Sequence, residues 1–196
     1  MSDSSLKPGE GYGRNWKDIA EEMDRCEALT LTSRVLSDRL CRAERARETV
    51  DAVLDEAAGL FEHCILFRIK DTVATIWGAR GWLDQTRSLV NFSASPVSAN
   101  PLELLTVYPN YRGTTPIEQA YVPFFDQLGL SFPMEICLIP VEVRGRLVAI
   151  LYGDNGDAGL KSSEAQEFEL AKKLMLGLTL VVIKNKIRDQ PGDGDA

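Results

Sequence analysis

The sequence predicts an α+β domain: one antiparallel sheet with N- and C-terminal helices packed on one face and an irregular lid segment on the other. Three observations carry this. Apolar runs joined by tight turns occur twice, at 63–77 and 136–155, as β-hairpins require. Helical spacing of apolar residues flanks them, before residue 62 and after residue 162. Between the hairpins, 100–133 keeps neither period and is punctuated by Pro101, Pro109, Gly113, Pro116, Pro123 and Gly129. Strands that follow one another in sequence pair antiparallel, and helices outside the strand run gather on one face.

Residues 1–14 are rich in Ser, Gly and Pro and read as a flexible N-terminus, and the acidic, glycine-rich 189–196 as a flexible tail. Gly9, Gly11 and Gly13 miss the spacing of a phosphate-cradling loop, since Arg14 stands where the last glycine is needed. Asn15 can cap a helix whose apolar face runs through Trp16, Ile19, Met23 and Cys26 and returns at Leu29, Leu36 and Leu40. Thr30, Thr32 and Ser33 lower helix propensity, so 15–47 is one kinked helix or two stacked ones. From near Thr49, the residues Val50, Val53, Leu54, Ala57, Leu60 and Phe61 form an amphipathic helix that should lie on the sheet.

His63–Lys70 and 73–77 are strands turning at Asp71 and Thr72, and 87–93, with Leu89, Val90 and Phe92, is a third. After the lid and the terminal hairpin, Ser162 or Ser163 caps the last helix, with acidic residues in its first turn. That helix is apolar on two sides. Phe168, Ala171, Met175, Leu178 and Val182 make a stripe for the sheet, and Leu176, Leu180, Ile183 and Ile187 a second, nearly opposite one. Either the N-terminal helix or a second subunit must bury the second stripe. The sequence favours a homodimer in which Trp16, Ile19, Met23, Leu176, Leu180, Ile183 and Ile187 meet in a bundle.

The net charge of -7 argues against a nucleic-acid or anionic-lipid partner, because such partners attract clustered cations. No stretch is long and apolar enough to span a bilayer and no secretory signal opens the chain, so the expected location is cytoplasmic. Cys26, Cys41, Cys64 and Cys137 are scattered and His63 is the one histidine, which points to reduced thiols and no metal site. The 153–157 turn lacks the acid spacing of a calcium loop and reads as a turn capping the last helix.

The run from Glu135 to Asn155 contains an apolar strand through Pro140-Val141, a tight Arg144-Gly145 turn, a strand ending Leu151-Tyr152, and Asp154-Asn155 before the final helix. It resembles the last hairpin of a GAF domain, most strongly over 136–155. Elsewhere, across 48–188, the resemblance rests on element order; a PAS or profilin-like sheet is the rival. It implies a non-catalytic, dimeric signalling module that senses a small ligand under the 100–133 lid and signals through its terminal helices. The alternatives are a ligand-free protein-interaction adaptor and, more remotely, a thiol-based methionine sulfoxide reductase. Candidate ligand contacts are Trp77, Arg80, Tyr108, Tyr111, Arg112, Glu118 and Tyr121, where Arg112 would grip a carboxylate or phosphate.

The cofactor is unknown. The marks of two liganded GAF subclasses are misplaced: Asn185-Lys186 and Asp55-Glu56 lie on helices, and His63 precedes Cys64, where bilin-binding members have the reverse order. Cys137 sits in an apolar run and reads as a small core residue with no activating cation beside it. Nothing in the chain resembles an output domain, so the signal goes to a protein partner or a fused domain elsewhere.

Overall fold

A computed structural model describes residues 33–81, 92–95 and 99–189. The chain divides after Val35 into two compact units; of the first, 33–35 alone are described, and the second holds the sheet. Trp16, Ile19, Met23 and most of the expected third strand lie outside the described residues.

A helix over 33–42 (α1) leads to α2 (Ala46–Ala57), then β1 (His63–Lys70), β2 (Val73–Arg80) and a two-residue β3 (Ser93–Ala94). The lid supplies a 3-10 turn (Pro101–Thr106), β4 (Tyr111–Thr114), a second 3-10 turn (Gln119–Tyr121) and α3 (Val122–Leu128). The chain closes with β5 (Glu135–Val143), β6 (Arg146–Asp154) and α4 (Glu164–Arg188). The strands form one sheet in the order β3-β2-β1-β6-β5-β4, with all neighbours antiparallel. The sequence missed β4, because Tyr111-Arg112-Gly113-Thr114 is too short to show a period.

Alternation along the strands feeds two cores. On the helix face, Cys64, Leu66, Cys137, Ile139 and Leu151 pack against α2, against Leu36 and Leu40 of α1, and against Leu170, Leu174 and Leu178 of α4. On the lid face, Ile65, Phe67, Leu138, Ile150 and Tyr152 pack against Leu102, Tyr121, Phe124, Phe125 and Leu128. Strands buried on both faces read as continuous apolar runs, which is why β5 and β6 stand out in the sequence.

The two hairpins use the same two-residue turn but not the same chemistry. Arg144 (φ 55°) and Gly145 (φ 70°) turn β5 into β6, whereas Asp71 (φ 49°) and Thr72 (φ 65°) turn β1 into β2. Positive φ at both central residues calls for Asn-Gly or Asp-Gly, and a β-branched residue there is strained. Thr72→Gly should therefore raise stability by about 0.5–1 kcal/mol after the entropy glycine returns to the unfolded chain. A higher urea midpoint at unchanged m-value would show it.

Ser163 caps α4 with a full capping box: its hydroxyl accepts from the Gln166 amide and the Gln166 side chain accepts from the Ser163 backbone N–H. The sheet-facing stripe differs from the expected one. Glu167, Leu170, Leu174 and Val181 are buried with Ala171 and Leu178, while Phe168 and Val182 are exposed. The buried stripe is therefore rotated around the helix from the expected one, and polar Glu167 belongs to it. Gly177 lets α4 approach its neighbours closely, since a Cβ there would lie 2.7 Å from Thr49 Cγ2 and 3.1 Å from Leu40 Cδ2. Lys184 Nζ donates to the carbonyls of Cys41 and Ala43 at 2.6 and 2.9 Å, satisfying acceptors left open at the end of α1.

The 153–157 turn does not cap α4 as expected. Asn155 Oδ1 accepts from the Glu62 amide at 2.8 Å and Asp154 pairs with His63, so the turn fastens the start of β1 to the end of β6.

Candidate functional site

The residues expected to surround one ligand lie on opposite faces of the sheet. Trp77 follows lid-facing Ala74 and Ile76 in alternation, so it takes the helix face and packs on the helix-side core; the β1–β2 bulge at this point carries Arg80 onto the same face. Its carbonyl accepts from Arg47 Nη1 at 2.6 Å, and the Arg68 guanidinium lies 5.7 Å from its ring centroid. Arg80 also points to the helices: Nε and Nη2 donate to Asp55 at 3.0 and 2.8 Å, and Nη2 reaches Asp51 at 3.3 Å. Burial opposes ionisation of Asp55, but hydrogen bonds from Arg39 and Arg80 outweigh it and hold the carboxyl below its usual range. Trp77 and Arg80 thus seat α2 on the sheet.

Arg112 is turned away from the lid interior. On β4 it stands opposite Cys137, on the helix face, with Nε donating to Glu167 Oε1 at 3.2 Å and Nη2 to the Ser162 carbonyl at 2.8 Å. Glu167, with a side chain 3% exposed, also accepts from the Ser162 hydroxyl at 2.5 Å and the Cys137 thiol at 3.3 Å. A buried carboxylate needs such partners, and here they come from β4, from β5 and from the residue before the α4 cap. A cation does stand near Cys137, contrary to expectation, yet the thiol is not activated: burial, then the Glu167 charge, push it well above the ordinary thiol range. Cys64 is likewise pushed up, to about 12, mainly by burial.

The remaining expected contacts belong to the lid. Tyr121 is buried and donates to Glu103 Oε1 at 3.0 Å; burial and that carboxylate hold its phenol protonated. Tyr108 and Tyr111 lie ring to ring at 5.7 Å, and the Tyr111 hydroxyl donates to the Thr114 carbonyl at 2.5 Å. Glu118 is exposed. These groups do not converge on a space. Over the middle of the sheet, Phe67, Phe92, Phe124 and Tyr152 fill the volume instead, with centroids 5.4 to 6.5 Å apart.

Open space remains at the margins. Beside the β1–β2 turn, Leu102 and Ile150 floor a cavity of about 380 Å³ walled by Ile69, Leu105 and Leu147, with Asp71, Thr72 and Thr106 at its rim. At the other end of β1, a cleft of about 550 Å³ lies between Glu62, His63, Gly129, Ser131 and the 155–158 turn. There His63 Nδ1 faces Asp154 Oδ1 at 2.9 Å, while Oδ2 accepts from the Tyr152 hydroxyl at 2.7 Å. No group of three or more metal-ligating side chains is found among the described residues. None of the residues lining the first cavity was a candidate from sequence. The one signal available was Asp71-Thr72 where the turn demands a glycine.

No family model matches the chain, and no curated protein matches it. Solved structures do match in fold. The GAF domain of a phosphoenolpyruvate-protein phosphotransferase from Coxiella burnetii superposes with a TM-score of 0.61 at 17% identity, covering 81% of this chain and 94% of that one. The corresponding domain from Acinetobacter gives 0.58 at 11% identity over 81% and 95%. The phycocyanobilin-bound GAF domain of a cyanobacterial phytochrome gives 0.58 at 11% identity over 83% and 97%. At such identities the match establishes the fold: the expected GAF-like sheet with its helix and lid faces is present.

Proposed function

We propose that the chain is a non-catalytic regulatory module that acts as a homodimer. A small ligand at the margin of the lid alters how the lid sits, and the change passes to α4. The observation that carries this is the Arg112–Glu167–Ser162 network, which joins the lid's one strand to the first turn of α4 inside the core. A ligand that favours one lid position then biases the position of α4 by its differential affinity for the two.

The output face is the second stripe of α4. Leu176, Leu180, Ile183 and Ile187 are 48, 36, 42 and 67% exposed, and a contiguous aliphatic row of this kind marks an interaction surface. A second copy presents the same row, so a two-fold pairing buries both. Leu180→Glu with Ile183→Glu should convert a dimer to a folded monomer in sedimentation equilibrium; an unchanged mass would remove the dimer from the proposal. The proposed reader of the signal is a protein partner or a fused output domain that binds this α4 row; among the described residues no helix is long and apolar enough to cross a membrane. A bilin is not the ligand proposed, because Cys64 is buried beneath α2 and its thiol is protonated.

A ligand-free adaptor is the second reading, and the aromatic filling over the middle of the sheet favours it. In that case the domain serves as a rigid platform, and the same α4 stripe binds its partner without any small-molecule input.

A further inference from the structure

We infer that the cavity beside the β1–β2 turn takes an aliphatic primary amine, its alkyl body against Leu102, Ile150, Leu105 and Leu147 and its ammonium at the Asp71 rim. This rests on the proposal above that the lid margin receives the ligand.

The body of the ligand is set by the walls. Leu102 and Ile150 are fully buried at the floor, and Ile69, Leu105 and Leu147 are half-buried, so every described side chain below the rim is aliphatic. Its volume of about 380 Å³ lies within the roughly 300–1,000 Å³ typical of small-molecule sites.

The head group is set by the direction of the rim hydrogen bonds. The Thr72 hydroxyl already donates to the Asp71 carbonyl at 2.6 Å, and the Thr106 hydroxyl to the Glu103 carbonyl at 2.7 Å. Each hydroxyl proton is committed within the chain, so the rim side chains present oxygen lone pairs to the cavity mouth. Of the described lining residues Asp71 alone is charged, and its carboxylate is also an acceptor. A rim made of acceptors selects a donor, and an ammonium satisfies three acceptors at once. A carboxylate or phosphate meets the like charge of Asp71 and no side-chain donor among the described rim residues. The strained turn supports a functional use: Asp71 and Thr72 keep left-handed conformations that Gly145 makes easy in the sister hairpin, and such outliers concentrate at ligand clamps.

The test is calorimetric titration of the full chain with n-butyl-, n-hexyl- and n-octylammonium, and with octanol and octanoate. Affinity should rise about three- to four-fold per methylene. Octylammonium should bind roughly five-fold more tightly than octanoate, the modest preference of an exposed carboxylate. Asp71→Asn should bring the two within two-fold of each other while leaving octanol unchanged, and Leu147→Trp, which fills the cavity, should abolish binding at one-to-one stoichiometry. Equal affinity for octanoate, a flat chain-length series, or an unaltered preference in Asp71→Asn would overturn the inference. If octylammonium binds as expected but leaves amide exchange in α4 unchanged, the ligand class stands and the relay falls. If the amines do not bind, while native mass spectrometry finds another small molecule on the wild type and none on Leu147→Trp, the lid-margin site stands and the ligand class falls.

Discussion

Glu167→Ala is expected to destabilise the domain by about 3–5 kcal/mol, the range for removing one member of a buried ion pair. Three donors converge on the Glu167 carboxylate: Arg112 Nε, the Ser162 hydroxyl and the Cys137 thiol. Truncation leaves the half-buried guanidinium with the Ser162 carbonyl as its remaining partner, and leaves a void under the first turn of α4. Against a total stability of roughly 5–15 kcal/mol, such a loss is visible in any urea titration. Glu167→Gln keeps the shape and an acceptor, so it should cost less, about 1–3 kcal/mol. The companion variant separates charge from packing. With Arg112→Leu and Glu167→Leu together, no buried charge is left unpaired, and the double variant should be more stable than the sum of the single changes implies. Additive losses would mean that the two side chains are not energetically coupled, and the relay from lid to α4 would lose its physical basis.

The distribution of charge in this network explains what the sequence could and could not reveal. Hairpins, caps and amphipathic helices are local patterns, so the Arg144-Gly145 turn, the Ser163 cap and the α2 face are visible in the residues themselves. The partner of Arg112 is 55 positions away, and nothing local distinguishes a guanidinium that grips a ligand from one that grips Glu167. The same holds for Glu167, whose charge hides its place on the buried stripe of α4; the apolar pattern alone therefore centres on Phe168 instead of Leu170 and Leu174. Arg80 shifted for a different reason. A strand bulge at Trp77-Gly78 adds one residue and carries Arg80 off the face of Ala74 and Ile76 onto the helix face, and Gly78, a glycine inside the strand, is the one local mark of it. Asp71-Thr72 lies between these cases: the turn is legible in the residues, but its unfavourable chemistry acquires meaning only beside the cavity that it borders.

Phe67→Ala should also cost about 3–5 kcal/mol, as truncation of a buried phenylalanine does when its surroundings cannot collapse. Phe67 is fully buried in the central strand β1, with Phe92, Phe124 and Tyr152 at 5.5, 6.0 and 6.4 Å. Two of these neighbours are held differently: Tyr152 is on β6 and tied by its hydroxyl to Asp154, whereas Phe124 belongs to the lid helix α3. The measured cost therefore reports on the lid. If α3 is rigidly docked, the space stays open and dry, the full loss appears, and benzene binds the variant and restores part of its stability, since an apolar cavity of this kind admits an apolar guest. A cost below about 1.5 kcal/mol without benzene binding would mean that the lid settles onto the sheet and refills the space, which requires more than one accessible lid position. The two outcomes divide the functional alternatives. A lid that settles can be moved by a ligand at its margin and can pull on Arg112, as a sensor requires. A lid that holds an empty cavity open behaves as the platform of an adaptor, and α4 would then receive nothing from it.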